Sequence, residues 1–425
     1  MGNVDEIIEL LNPWWKDDEV SEKLAKPYKR KVFNEITRLI NYRQIVILSG
    51  LRRVGKTTSF YQIIQKLLKK TNAKNIFYFN FDKEVNDINE ILDSYQELSD
   101  VNWKKEKIFV FLDEITKLNQ WASKIKLIYD AFPNIKFMIS SSSSTILEEE
   151  AIKNLGGRYF LVNMGPLSFT EYLELRGKNK FLKNINLYEK EIRKEFKSYP
   201  LKSFPEIIEW DDKLLIKDYL RTTIIDKVIK GDLSERFKNV NKDLLFNLLK
   251  IFYNEPGMYL DYDSFSKKLG VSKKTLIDHI FYLEFSYLLR RIRNFRPTMF
   301  TLSRKMQRVY SYWGGLAYCY SDNYDKIMEN IVASFIDAKY YWRKNDKEID
   351  FLIIENKKII PVEVKNKKEL SKRDLRNMKY FLEKYNIKEG KIIYNGKEDE
   401  VKIGKLKIKL IPLWKFLLRE NDNSL

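Results

Sequence analysis

Four short apolar runs stand out between positions 44 and 144: QIVILSG (44–50), NIFYFNFD (75–82), KIFVFLDEI (107–115) and NIKFMISSSSS (134–144). Runs of this length, rich in Ile, Val and Phe, predict strands buried on both faces. Between them apolar residues recur three and four positions apart. Phe60, Ile63, Ile64, Leu67 and Leu68 predict a helix over 56–70, and two more helices are predicted over 87–99 and 120–131. Strand–helix alternation of this kind predicts a parallel sheet covered on both faces. Upstream, a short amphipathic helix over 4–11 ends at Asn12-Pro13. Trp14 and Trp15 are expected to pack into a core, and another helix covers 29–42. From 171 to 250 the pattern is helical. Within 242–290, Phe265 and Leu269 precede Gly270, while Leu276, Ile280, Leu283 and Leu288 follow it. That spacing predicts a helix-turn-helix of the winged type, with Lys273 and Lys274 opening the second helix. The last third predicts a helix over 325–338, strands over 347–354 and 357–367, a helix over 371–384 and a strand over 391–396.

The first strand runs into Gly50-Leu-Arg-Arg-Val-Gly55-Lys56-Thr57-Thr58. This is the G-x-x-x-x-G-K-[ST] phosphate loop in the strand-to-helix setting it requires. Its glycines allow successive N–H groups to face a phosphate, and the following helix adds its dipole. Gly50, Val54, Gly55, Lys56, Thr57 and Thr58 are therefore the expected ATP-binding residues, with Lys56 on the β- and γ-phosphates and Thr57 on Mg²⁺. The third run brings Asp113 to the carboxyl end of a strand, where it would hold Mg²⁺ through water, and Glu114 would polarise the attacking water. Ser140 to Ser144 end the fourth strand, and Ser142 is taken as the residue that senses the γ-phosphate or positions water. Arg158 is a candidate arginine finger, although its spacing fits a surface or packing arginine equally well. A finger acting in trans would require self-association.

A second constellation lies near the C-terminus. Glu363 and Lys365 are two apart on a strand, so they share a face. Asp350 sits on the preceding strand and Glu329 on the preceding helix. The spacing Asp350-x12-Glu363-x-Lys365 resembles the D-x(n)-E-x-K core of the PD-(D/E)xK nuclease superfamily. On that chemistry Glu329, Asp350 and Glu363 would bind Mg²⁺ or Mn²⁺. Lys365 would orient or activate water beside the scissile phosphate. The structural alternative is a solvated charged hairpin.

Composition narrows the choices. One cysteine, Cys319, excludes an internal disulfide. With one histidine, His279, it excludes a Cys/His zinc site. A Ser-His-Asp mechanism would have to run through His279, and metal chemistry must rest on carboxylates. No apolar stretch is long enough for a membrane helix, and the acidic N-terminus lacks the features of a signal peptide, so a cytoplasmic protein is expected. The formal charge is +19 over 425 residues. The excess falls almost wholly after residue 170. From Phe285 to Ser321 there is no acidic residue, while Arg290, Arg291, Arg293, Arg296, Arg304, Lys305 and Arg308 occur among aromatics. Such a stretch is the footprint of a nucleic-acid surface, here DNA.

The phosphate loop LSGLRRVGKTT also resembles that of the prokaryotic AAA+-type ATPases carrying a C-terminal domain of unknown function. FLDEI, Leu155-Gly-Gly-Arg158 and GPLSFTEYLELRG (165–177) extend the likeness, and Asn12-Pro-Trp-Trp15 is similar to the N-terminal signature of the archaeal branch. The resemblance implies an ATPase. The resulting expectation is an α/β protein with a P-loop NTPase parallel sheet (1–170), a helical and winged helix-turn-helix module (171–310) and a nuclease-like α/β domain (311–425). It would bind and hydrolyse ATP with Mg²⁺, associate with DNA and cleave it. The alternative is a nucleotide-dependent switch or scaffold that binds DNA or protein without cutting.

Overall fold

Each apolar run becomes a strand: β1 (Ile45–Ser49), β2 (Ile76–Asn80), β3 (Ile108–Asp113) and β4 (Ile135–Ser141). A fifth strand, β5 (Tyr159–Asn163), has no long apolar run to announce it and is only half-buried over most of its length. In the computed structural model, which describes residues 2–82, 87–142, 147, 150–296, 306–355 and 358–419, these strands form one parallel sheet in the order β2-β3-β4-β1-β5. Helices Lys56–Leu67, Ile88–Ser99 and Trp121–Ala131 lie where the periodicity predicts them. β1, β3 and β4 are buried at every position. That is why their sequences are continuously apolar rather than alternating.

The N-terminal segment serves the edge strand β2. Asn12 Nδ2 donates to Tyr78 O (2.9 Å), and Tyr78 N donates to Asn12 Oδ1 (2.8 Å). The Nε1 groups of Trp14 and Trp15 both donate to Ile76 O, at 3.1 and 2.9 Å. One side-chain amide and two indoles thus satisfy backbone groups that an edge strand leaves unpaired.

The chain divides into two compact units, Met1–Pro166 and Leu167–Leu425. The second begins with helices and then builds a nine-stranded mixed sheet. Helix Lys242–Asn254, β6 (Met258–Leu260), helix Tyr262–Leu269, helix Lys273–Phe285, β7 (Leu289–Asn294) and β8 (Gln307–Ser311) follow one another. Gly270 ends the first helix of the pair at φ +65°, and the Ser272 side chain caps the second by accepting from Thr275 N. Helix Tyr324–Phe335 leads to β9 (Tyr340–Lys344), β10 (Lys347–Glu355) and β11 (Lys358–Lys365), an antiparallel meander. Helix Arg376–Tyr385 crosses back to β12 (Glu389–Tyr394), which runs parallel to β11, and β13 (Asp399–Ile403) and β14 (Leu406–Pro412) complete the sheet. The order is β13-β14-β12-β11-β10-β9-β7-β8-β6. β7 pairs in parallel with β9 through Arg293–Tyr340 and Asn294–Tyr341, so the strands after the helix pair and the C-terminal strands share hydrogen bonds. Trp342, Phe381, Leu382, Ile392 and Ile408 form the core beneath the crossover helix. Among the described residues no helix is long and apolar enough to cross a membrane.

Candidate functional site

The phosphate loop leaves β1 at Gly50, whose φ is +157°. A Cβ there would stand 1.9 Å from the carbonyl oxygen of Met164, so only glycine fits between β1 and the end of β5. Gly55 caps the following helix at φ +100°. Lys56 is buried and lies across the loop, its Nζ donating to Gly50 O (3.0 Å) and Leu51 O (2.9 Å). The Val54 carbonyl accepts from Arg30 Nη1 at 2.7 Å. The other guanidinium nitrogen reaches Gly165 O (3.1 Å) and Pro166 O (3.2 Å). Arg30 thus pins the loop from outside the motif. Nothing in the sequence signals this, because a lone arginine carries no spacing. Thr58 is half-buried on the first turn of the helix.

Sheet order decides which groups meet this loop. β4 lies between β1 and β3, so Ser140, near its end, stands beside Asp113. The Asp113 carboxylate is buried and accepts from the Thr57 hydroxyl (2.5 Å), the Tyr78 phenol (3.0 Å), Glu114 N (3.2 Å) and Ser140 Oγ. Burial raises its pKa, and the Glu114 charge adds to the effect. A hydroxyl and a carboxylate from different elements in contact form the hard-oxygen donor set that suits Mg²⁺. Tyr78, whose own pKa is pushed well up by burial and by Asp113, is a member of this cluster that the motif does not reveal. Glu114 sits in the left-handed region (φ +52°). Its Oε2 accepts from both Ser142 N (3.1 Å) and Ser142 Oγ (2.8 Å). Ser142 therefore touches the candidate base, while Ser141 Oγ bonds Thr116 Oγ1 at 2.8 Å. Ser143 and Ser144 lie outside the described residues.

Arg158 does not join this cluster within its own chain. It precedes β5 at the Ile45 end of β1, opposite the loop and separated from it by a five-residue strand, roughly 16 Å at the usual rise. Its Nε bonds Asp130 Oδ1 at 2.8 Å instead.

In the second unit, Glu329, Asp350, Glu363 and Lys365 all line one cavity of about 560 Å³. Glu363 and Lys365 share a face, with Oε1 and Nζ 3.2 Å apart. The register of Phe351 opposite Val362 brings Asp350 alongside Glu363, and Asp350 Oδ2 accepts from Val364 N at 2.8 Å. Burial pushes the Glu363 carboxyl up to about 8 against the opposing pull of Lys365. Burial also raises Glu329, with Arg308 opposing.

A basic side chain, Arg308, stands among the residues of the expected metal shell. This arginine, buried on β8, pairs with Glu329 Oε1, with Glu348 Oε1 (3.1 Å) and with Asp350 Oδ1 (3.6 Å). Tyr310 also donates to Glu329 Oε1, at 2.6 Å. With the side chains as they stand, no three His, Cys, Asp or Glu among the described residues are grouped as a metal site. Glu348 was not singled out from sequence. Its role depends on Arg308, 40 residues earlier in the chain.

The acid-free stretch is likewise not acid-free in space. Arg290 pairs with Asp337 (2.6 Å), Arg291 with Glu284 and Arg308 with the carboxylates above. Arg293 and Arg296 are exposed. Arg304 and Lys305 lie outside the described residues. On the second helix of the pair, Lys273 bonds Asp263 at 2.8 Å and Lys274 is exposed. His279 is buried, with Nε2 accepting from Asn241 N (2.9 Å) and Nδ1 meeting Thr275 O (2.8 Å), so both ring nitrogens serve the fold. Burial pushes the Cys319 thiol up to about 12, which suppresses the thiolate.

Comparison with known proteins finds a domain match that spans the phosphate loop. Residues 42–173 match the model of an AAA domain. Residues 186–325 and 326–416 match two domains of unknown function, DUF8612 and DUF4143. The chain is similar to two uncharacterized proteins of Methanocaldococcus jannaschii. MJ1544 is 28% identical over 95% of this chain and 95% of its own, and MJ1637 is 29% identical over 88% and 85%. Among solved structures, the Aeropyrum pernix ORC2 protein is 10% identical, with a TM-score of 0.38 over 74% of this chain and 96% of its own.

Proposed function

We propose that the chain hydrolyses ATP with Mg²⁺ at the phosphate loop and couples its nucleotide state to a DNA-associated second unit. The observation that carries this reading is the Thr57 hydroxyl in contact with the Asp113 carboxylate, with Glu114 beside it held by Ser142. Loop N–H groups and the helix N-terminus would bind the phosphates, and Lys56 would release Gly50 O and Leu51 O to reach them. Glu114 would take the proton of the attacking water, its carboxylate oriented by Ser142. Mg²⁺, when bound, would neutralise charge on the β- and γ-phosphates. In steady-state assays Glu114→Gln should keep ATP binding and lose turnover by about 10²–10⁴-fold, whereas Lys56→Ala should lose binding. Unchanged turnover in Glu114→Gln would refute the assignment.

For the second unit, the order helix–strand–helix–helix–strand–strand over 242–311 supports a winged-helix reading, with Lys274, Arg293 and Arg296 as exposed DNA contacts. Of the two readings of the C-terminal cavity, the ion pairs of Arg308 favour binding without cleavage over a Mg²⁺- or Mn²⁺-dependent nuclease. Plasmid DNA incubated with the protein, ATP and either metal should be bound in a salt-sensitive way and remain uncut. Nicking that requires Asp350 and Lys365 would establish the nuclease instead.

A further inference from the structure

The cavity of the second unit is lined by Glu329, Glu348, Asp350 and Glu363 and already contains a cation, the guanidinium of Arg308. We propose that Arg308 is the resident cation of this cavity, occupying the place of a divalent ion so that the site works without metal. The inference rests on the non-cleaving reading above and names the physical reason for it.

Arg308 is hydrogen-bonded through Nε and Nη2, while Nη1 faces Glu348 and Asp350 by charge without a hydrogen bond. Its side chain is 5% exposed. Nε donates to Gly257 O at 3.0 Å, which fixes the stem side of the fork. The terminal nitrogens face Glu329, Glu348 and Asp350. The rings of Tyr259, Tyr310 and Tyr341 lie 5.8, 5.3 and 5.9 Å from the guanidinium carbon, close enough for cation–π attraction. Space for the group depends on a glycine. Gly257 has φ +84°, and a Cβ there would come within 2.7 Å of Arg308 Nη2, 3.0 Å of the Tyr310 hydroxyl and 3.2 Å of Glu329 Oε1. An arginine merely passing over an acidic patch would need no such cradle. A guanidinium stays protonated at any working pH and spreads one charge over a planar fork, so it can serve several carboxylates from one position. A divalent ion bound to Asp350 would stand against that charge in a buried setting, where repulsion is little screened.

The test is Mn²⁺ binding to the full chain without nucleotide, followed by the electron paramagnetic resonance signal of free Mn²⁺. A Thr57→Ala background weakens the phosphate-loop site, and Asp350→Asn identifies binding that belongs to the cavity. The parent should show no Asp350-dependent binding. Arg308→Gln should create one site, at least tenfold tighter than anything the parent shows, and adding Asp350→Asn should abolish it. Removing one partner of a buried pair can unfold a protein, so Arg308→Gln/Glu329→Gln removes that pair together and should still gain Asp350-dependent binding through the carboxylates that remain. Arg308→Lys should remain without it. Asp350-dependent binding in the parent as tight as in the Arg308→Gln variant would overturn the proposal, as would no gain in either folded Gln variant. Plasmid cleavage is scored separately. Binding by the parent without nicking defeats this inference alone, whereas Asp350-dependent nicking defeats the non-cleaving reading.

Discussion

Asp113→Asn should separate two properties that the phosphate-loop cluster combines. Asp113 Oδ1 accepts from Ser140 Oγ and Glu114 N, and Oδ2 accepts from the Thr57 hydroxyl and the Tyr78 phenol. An asparagine placed with its oxygen toward Ser140 and Glu114 keeps the first pair. Its NH₂ then faces two hydroxyl groups, each able to rotate and accept. The substitution removes a charge whose burial is unfavourable enough to raise the carboxyl pKa. The variant without nucleotide should therefore be at least as stable as wild type. Nucleotide should no longer stabilise it in the same way. A ligand at 100 times its dissociation constant stabilises the folded state by about 2.7 kcal/mol. At about 2–4 °C per kcal/mol for a unit of this size, wild type should gain about 5–11 °C in the melting transition of the first unit with saturating ATP and Mg²⁺. Asp113→Asn should lose the Mg²⁺-dependent part of that shift. Scanning fluorimetry with ATP plus EDTA and with ATP plus Mg²⁺ measures both quantities. A variant that melts well below wild type without ligand would refute the hydrogen-bond argument. One that retains the full Mg²⁺-dependent shift would refute the metal role of Asp113.

Two further expectations follow from other parts of the fold. Asn12→Ala leaves Tyr78 N and O without side-chain partners on a buried edge, at about 1–3 kcal/mol for each unsatisfied group. Urea unfolding of the first unit should register the loss, and a change under about 0.5 kcal/mol would contradict the edge-capping account. Glu363 has a folded-state pKa of about 8 against an ordinary 4.5. Between those values the native state retains a proton that the unfolded chain has released, so this group makes stability fall as pH rises through that window. Glu363→Gln should flatten the decline between pH 5 and pH 8 in chemical denaturation of the second unit, and an identical slope in both proteins would argue against a neutral buried Glu363.

Strands β1 to β4 of the first unit could be read directly because they are buried almost throughout on both faces and so carry continuous apolar runs. The phosphate loop could be read because glycine, lysine and threonine are needed there at fixed spacing. β5, β9, β13 and β14 could not: β5 is half-buried, YYWRK in β9 mixes aromatic and basic residues, and charged residues interrupt DEVKI in β13 and LKIKLIP in β14. Asp350, Glu363 and Lys365 could be placed on one hairpin because alternation in a strand is a local rule. What surrounds them could not. Arg308 looks, along the chain, like part of an acid-free basic stretch. The packing of β8 against helix Tyr324–Phe335 and the position of β10 in the same sheet bring it among Glu329, Glu348 and Asp350, and a glycine at 257 makes room for it. Charge in sequence is counted along one dimension, whereas ion pairs form through space between strands distant in the chain. The sequence by itself therefore determined the nucleotide-binding chemistry of the first unit. Tertiary structure alone decided that the carboxylates of the second already face a cation.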